Sequence, residues 1–160
     1  MNEHRVTTKN EELKMALYIK TIRKVTKRKK SVDMYIGKIV IGDFTETIHI
    51  PINFWTIDEY KKQWAEGLAR IETHDSSCLI ASIQDPKIDP YLNWWALYKV
   101  GDTVYIHNNM FVDFTYEEHF GNTVITRENC YDFISPRETV TDDGEKISEW
   151  SIPLSDIKGI

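Results

Sequence analysis

Apolar and polar residues in this chain alternate at a period of two more often than they recur at helical spacing. The run ALYIKTIRKV, inside the segment Met15 to Lys30, alternates in part, with Leu17, Ile19 and Thr21 on one face and Tyr18, Lys20 and Ile22 on the other. It would also tolerate a helix, but its Tyr, Ile, Thr and Val content predicts a strand. A hairpin follows. MYIGKIVI and FTETIHIPI flank Gly42-Asp43, a pair suited to a type II′ or I′ turn. In the second arm Phe44, Glu46, Ile48 and Ile50 share one face, while Thr45, Thr47 and His49 share a wetter one. Pro51 ends the ladder.

The period then changes. In WTIDEYKKQWAEGLARIE, Ile57, Tyr60, Trp64, Leu68 and Ile71 repeat at three- and four-residue steps and form one apolar stripe. Lys61, Lys62, Glu66 and Arg70 face away. Thr56 is placed to cap this helix with Glu59 closing a capping box, and Trp55 and Tyr60 occupy the two staple positions. The spacing predicts a helix from Ile57 to about Glu72.

Beyond it, SCLIASI is apolar throughout and too short for a helix, so it reads as a buried central strand. DPKIDP is a loop. NWWALYKV and DTVYIHNNMFV pair across Gly101-Asp102. No trustworthy period runs from Asp113 to Tyr131, which reads as a long loop with one short element. The turn DDGEKI leads into a last strand, SEWSIPL, and Ser155 caps a helical turn in SDIKGI. Six or seven strands interrupted once by a helix do not make the strict alternation of a parallel α/β protein. The pattern predicts an α+β domain: a mainly antiparallel sheet of about six strands with one principal helix packed on it.

Composition bounds the rest. The 160 residues are 41% hydrophobic, enough for one globular domain spanning 1–160, with 1–14 as a polar start. No apolar run approaches the roughly 20 residues that cross a bilayer, and the polar start lacks an apolar signal core, so no membrane association and a cytoplasmic location are expected. Two cysteines, Cys78 and Cys130, suggest neither a disulfide framework nor a cysteine metal site. Charge is uneven. Residues 1–31 hold ten basic and three acidic side chains, net +7, and the remainder holds 10 basic and 22 acidic, net −12. A field of that sign repels nucleic acid and attracts basic partners. Lys27 to Lys30 form the one basic run, read as a solvated turn and not as a nucleic-acid site.

Recognisable catalytic patterns are missing: no phosphate-cradling glycine loop, no nucleophile elbow, no paired metal-binding histidines. His49 and His107 lie on predicted strands and could meet, which would allow acid–base chemistry, but sheet-surface or hydrogen-bonded core roles explain them as well. No cofactor or metal is expected. The acids Glu117-Glu118 and Asp142-Asp143 are adjacent pairs without calcium-loop spacing. Trp94 and Trp95 are strand neighbours, so one should face the core and the other the opposite side, where it either anchors a partner or lies beneath a covering element.

The stretches MYIGKIVIGDF, FWTIDEYKKQWAEGLARI, NWWALYKVGDTVYIHN and YDFISPRETVTDDGEKISEWSIPL together resemble immunity proteins of bacterial contact-dependent growth inhibition systems. The resemblance covers most of the chain after about residue 15. It implies a small, cytoplasmic, non-enzymatic protein that binds and blocks the C-terminal toxin domain of its cognate effector, often a nuclease and so often basic. The resemblance supplies a role and no site residues. Combined with the acidic body, it makes Glu117, Glu118, Asp142, Asp143 and Glu145 the expected toxin-facing residues, with Trp94 or Trp95 as an anchor. A small enzyme and a nucleic-acid-binding module are the alternative readings, and the oligomeric state stays open.

Overall fold

The computed structural model describes residues 17–27 and 32–157. The polar start and residues 28–30 of the basic run lie outside the described residues. Among the described residues, seven strands and two α-helices follow one another as β1 (Leu17–Lys27), β2 (Val32–Ile41), β3 (Phe44–Pro51), α1 (Ile57–Arg70), β4 (Ser76–Ile83), β5 (Tyr91–Val100), β6 (Thr103–Val112), α2 (Phe114–Phe120) and β7 (Trp150–Pro153). Short 3₁₀ turns sit at Cys130–Phe133 and Leu154–Asp156. The second turn starts from Pro153 with no side-chain cap, so Ser155 does not have the capping role expected of it.

The α+β class is as expected, but the strands form two antiparallel sheets, β1-β2-β3 and β4-β5-β6-β7. Helix α1 intervenes between β3 and β4, and the ladder is broken there. The β2–β3 turn has Gly42 at φ 59° while Asp43 keeps a negative φ, the II′ signature. The main core lies where the sheets face each other. Ile39, Ile41, Ile48 and Ile50 come from the first sheet, and Trp95, Leu97, Ile106 and Ile152 from the second. Phe44 crosses the seam, its ring 4.7 Å from Trp150 and 6.5 Å from Trp95.

Helix α1 begins as its sequence dictates. The Thr56 hydroxyl accepts from the Glu59 amide, the Glu59 carboxylate accepts from the Thr56 amide, and Trp55 meets Tyr60 edge-on at 5.4 Å. Strand β4 is buried, yet it is an edge strand of its sheet and not a central one. Unpaired backbone groups on a buried edge are costly unless something satisfies them, and α1 provides the partners. Gln63 donates from Nε2 to the Cys78 carbonyl at 2.8 Å and accepts from the Ile80 amide at 2.7 Å. Trp64 Nε1 donates to the Ile80 carbonyl at 2.7 Å. The Tyr60 hydroxyl accepts from the Ile83 amide and donates to the Pro51 carbonyl, joining β3 to β4. Gly67 permits this approach: a Cβ there would lie 2.3 Å from the Cys78 carbonyl oxygen.

Candidate interaction surface

The second face of the four-stranded sheet carries the segments that hold the predicted surface residues. Strand alternation puts Trp94, Ala96 and Tyr98 of β5 beside Asn109, His107 and Tyr105 of β6 on this face. Two covers lie over it. Helix α2 seats at the Trp94 end, where Phe120 lies 5.7 Å from Trp94 and 4.9 Å from Phe111, and His119 stacks on Phe111 at 4.6 Å. The helix starts at Asp113, whose φ of 46° is unusual for a residue with a side chain. Its register turns Tyr116 and Phe120 inward and leaves Glu117 and Glu118 exposed.

The second cover is the segment after the Cys130 turn. Phe133 rests on Phe120 at 5.4 Å, and its carbonyl accepts from His119 Nε2. Tyr98 then donates to the Ser135 carbonyl at 2.8 Å. Next comes a clamp. Arg137 grips Glu149 with two bonds of 2.8 Å while its guanidinium lies 3.8 Å over the Tyr105 ring. His107, buried in the sheet face, donates to the same carboxylate at 2.6 Å. The Arg137 fork, with His107 behind it, holds the Glu149 carboxyl far below the usual range, at about 2.

Between the two halves of this clamp the chain makes a small exposed hairpin. Val140 bridges Lys146, Thr141 and Glu145 share a 2.7 Å backbone bond, and the Thr141 hydroxyl accepts from the Glu145 amide. Gly144 takes φ 84°, which closes the turn at a conformation side chains disfavour. Asp142, Asp143 and Glu145 point into solvent from it. The acid-rich turn is therefore a built projection, tied to the sheet at its base and free at its tip.

The expected surface residues are distributed as follows. Asp142, Asp143 and Glu145 are exposed on a loop, as expected. Glu117 and Glu118 are exposed too, but on a helix instead of the expected loop; seven residues, FTYEEHF, are too few to display a helical period. The two acid groups do not converge on one pocket. Their supports lie over the same sheet face, the Trp94 row and the Tyr98 row standing about 13 Å apart along β5. Trp94 and Trp95 do point to opposite faces, but both faces are covered. Each is 1% exposed, Trp94 beneath α2 and Trp95 between the sheets against Trp150, so neither presents its ring to a partner. Trp94 holds up α2 and donates to Asn109 at 3.2 Å. His49 is exposed on β3 while His107 is committed to Glu149, and no acid–base pair results. The Arg137–Glu149–His107 clamp was not anticipated from the sequence. Its one visible signal is opposite charge at the two ends of a turn-forming segment.

Comparison with known proteins gives consistent matches. Residues 50–160 match the CdiI N-terminal domain family. The immunity protein CdiI of Enterobacter cloacae subsp. cloacae is 34% identical over 122 residues, which are 76% of this chain and 80% of that protein. A chain in the CdiA-CT/CdiI toxin and immunity complex from Enterobacter cloacae superimposes with a TM-score of 0.74 at 29% identity, over 88% of this chain and 92% of that one.

Proposed function

The chain belongs to the CdiI N-terminal domain family, and from that premise we propose that it is an immunity protein which binds and neutralises the C-terminal toxin domain of its cognate contact-dependent growth inhibition effector. The observation that carries this reading is the likeness to an immunity protein along most of both chains. The family match takes in α1, the whole four-stranded sheet, α2 and the acidic hairpin.

The charge distribution supports a more specific reading, in which the toxin is a nuclease. A nuclease must hold a cationic groove for phosphates. A protein that covers such a groove gains from acids carried on its surface and requires no chemistry of its own. Residues 32–160 have net charge −12, and Glu117, Glu118, Asp142, Asp143 and Glu145 all stand in solvent on segments laid over one sheet face. These five residues form the proposed toxin-facing set. Trp94 and Trp95 serve it from below, as supports for α2 and for the sheet. The protein acts in the cytoplasm as a binder without turnover, and its partner is a basic protein and not a nucleic acid.

Growth tests this directly. Cells producing the cognate toxin domain should stop dividing, and co-production of this chain should restore division. Equal killing with and without the chain sinks the immunity reading. Toxicity that persists in a toxin domain unable to cleave any nucleic acid removes the nuclease assignment while leaving immunity intact.

A further inference from the structure

A protein interface is anchored by a few large side chains, and both tryptophans that the sequence offers for that role are buried. Among the described residues one aromatic side chain is exposed: Phe114, the first residue of α2, with 74% of its surface in solvent. Tyr116 and Phe120 are the residues that pack this helix onto the sheet. The Phe114 ring therefore contributes little to the free fold, because apolar surface stabilises only when it leaves water.

The backbone nevertheless holds that ring in one place. Asp113, just before it, has φ 46° and ψ −108°, outside the regions that residues with side chains normally occupy. Such a conformation is costly, persists only where its surroundings fix it, and concentrates at functional sites. Three bonds fix it here. The Asp113 amide donates to the Pro90 carbonyl at 3.0 Å, and the Thr115 hydroxyl accepts from the Val112 amide at 2.8 Å and donates to the Val112 carbonyl at 2.9 Å. A ring carried on a rigid turn loses little freedom when a partner covers it.

The surroundings specify that partner. Glu117 and Glu118 lie three and four residues beyond Phe114, so they share the solvent face of α2 with it. Residues 112–126 hold three acids, Asp113, Glu117 and Glu118, and no lysine or arginine. His119 is committed elsewhere, stacked on Phe111 and bonded to the Phe133 carbonyl. The loop 84–90, joined to the turn through Pro90, adds Asp85 and Asp89 against Lys87. An apolar centre with an acidic rim is matched by an apolar recess with a basic rim. Pairing this face with itself in a second copy would oppose acids to acids.

We propose that Phe114 anchors the toxin interface: its ring enters an apolar recess of the toxin domain, and Glu117 and Glu118 meet basic side chains at the rim of that recess. The proposal rests on the immunity reading above and assigns to Phe114 the anchoring role that the buried tryptophans cannot take.

The test is a titration of the purified full chain with its cognate toxin domain, the latter carrying an inactivating substitution, alongside thermal melting of the chain alone. Phe114→Ala should raise the dissociation constant about thirtyfold or more and leave the melting midpoint of the free chain unchanged. Val100→Ala removes another exposed apolar side chain, at the opposite end of β5, and should change neither readout. Glu117→Gln combined with Glu118→Gln should slow association at low salt and flatten its salt dependence. If wild type binds and Phe114→Ala binds equally well, the anchor assignment is wrong while the immunity reading stands. A Phe114→Ala chain that melts well below wild type would make the residue a support of α2, and equal losses for Phe114→Ala and Val100→Ala would make the effect unspecific; either result overturns the inference. An unchanged association rate in the glutamine pair removes the basic rim. If wild type does not bind at all, the immunity reading fails and this one falls with it.

Discussion

Single residues decide how α1 is joined to the sheets, and only some of them were readable in the sequence. Thr56, Glu59, Trp55 and Tyr60 follow local rules that act within one turn of chain, so letters alone placed them. Gln63 and Gly67 follow a tertiary requirement, the unpaired edge of β4, which cannot be seen until the edge exists. The two kinds of residue should fail differently. Trp64→Ala removes a buried indole and its bond to the Ile80 carbonyl, and should cost about 3–5 kcal/mol in urea unfolding. Gln63→Leu keeps most of the volume but strands the Ile80 amide and the Cys78 carbonyl. That should cost roughly 1–3 kcal/mol for each stranded group. A Gln63→Leu chain as stable as wild type would show that α1 does not close the edge through this side chain.

Among the elements, the strands, their turns and α1 were legible because each carries a full period or a turn signal of its own. The split into two sheets was not, since nothing local tells a strand which neighbour it will take. Helix α2 is shorter than its own signal. The hairpin at 140–146 was visible as a turn, but its attachment was not, because His107 reaches Glu149 from β6, far from it in sequence. That attachment makes a pH prediction. Glu149 has its pKa lowered from 4.5 to about 2, so its ionised form is favoured by folding. The stability it contributes is complete above about pH 4.5 and is lost as pH falls toward 2. Arg137→Met removes the main cause of that shift. Amides from 139 to 147 should then exchange with solvent faster at pH 7, while amides of β4 and β5 keep their protection. Unchanged exchange in the hairpin would show that it holds its place without the clamp.

For the whole molecule, charge and fold act together. The sequence showed the acidic excess but not its placement. The fold lays two separately anchored acidic segments over one sheet face and buries the two tryptophans that the sequence offered as anchors. Attraction of a basic partner by such a surface acts mainly on the rate of encounter. Asp142→Lys combined with Asp143→Lys should slow association with the toxin domain about tenfold at low salt and flatten its salt dependence, with the fold unchanged. A double variant that associates as fast as wild type at both low and high salt would put the contact surface elsewhere on the molecule. Calorimetric titration of the purified chain with the purified cognate domain decides whether this chain is the immunity partner of a toxin domain. The expected result is one-to-one binding with a dissociation constant on the order of nanomolar, and loss of the toxin's activity at the equivalence point. Absence of binding at concentrations of about 10 µM, or full toxin activity in the saturated mixture, would contradict it.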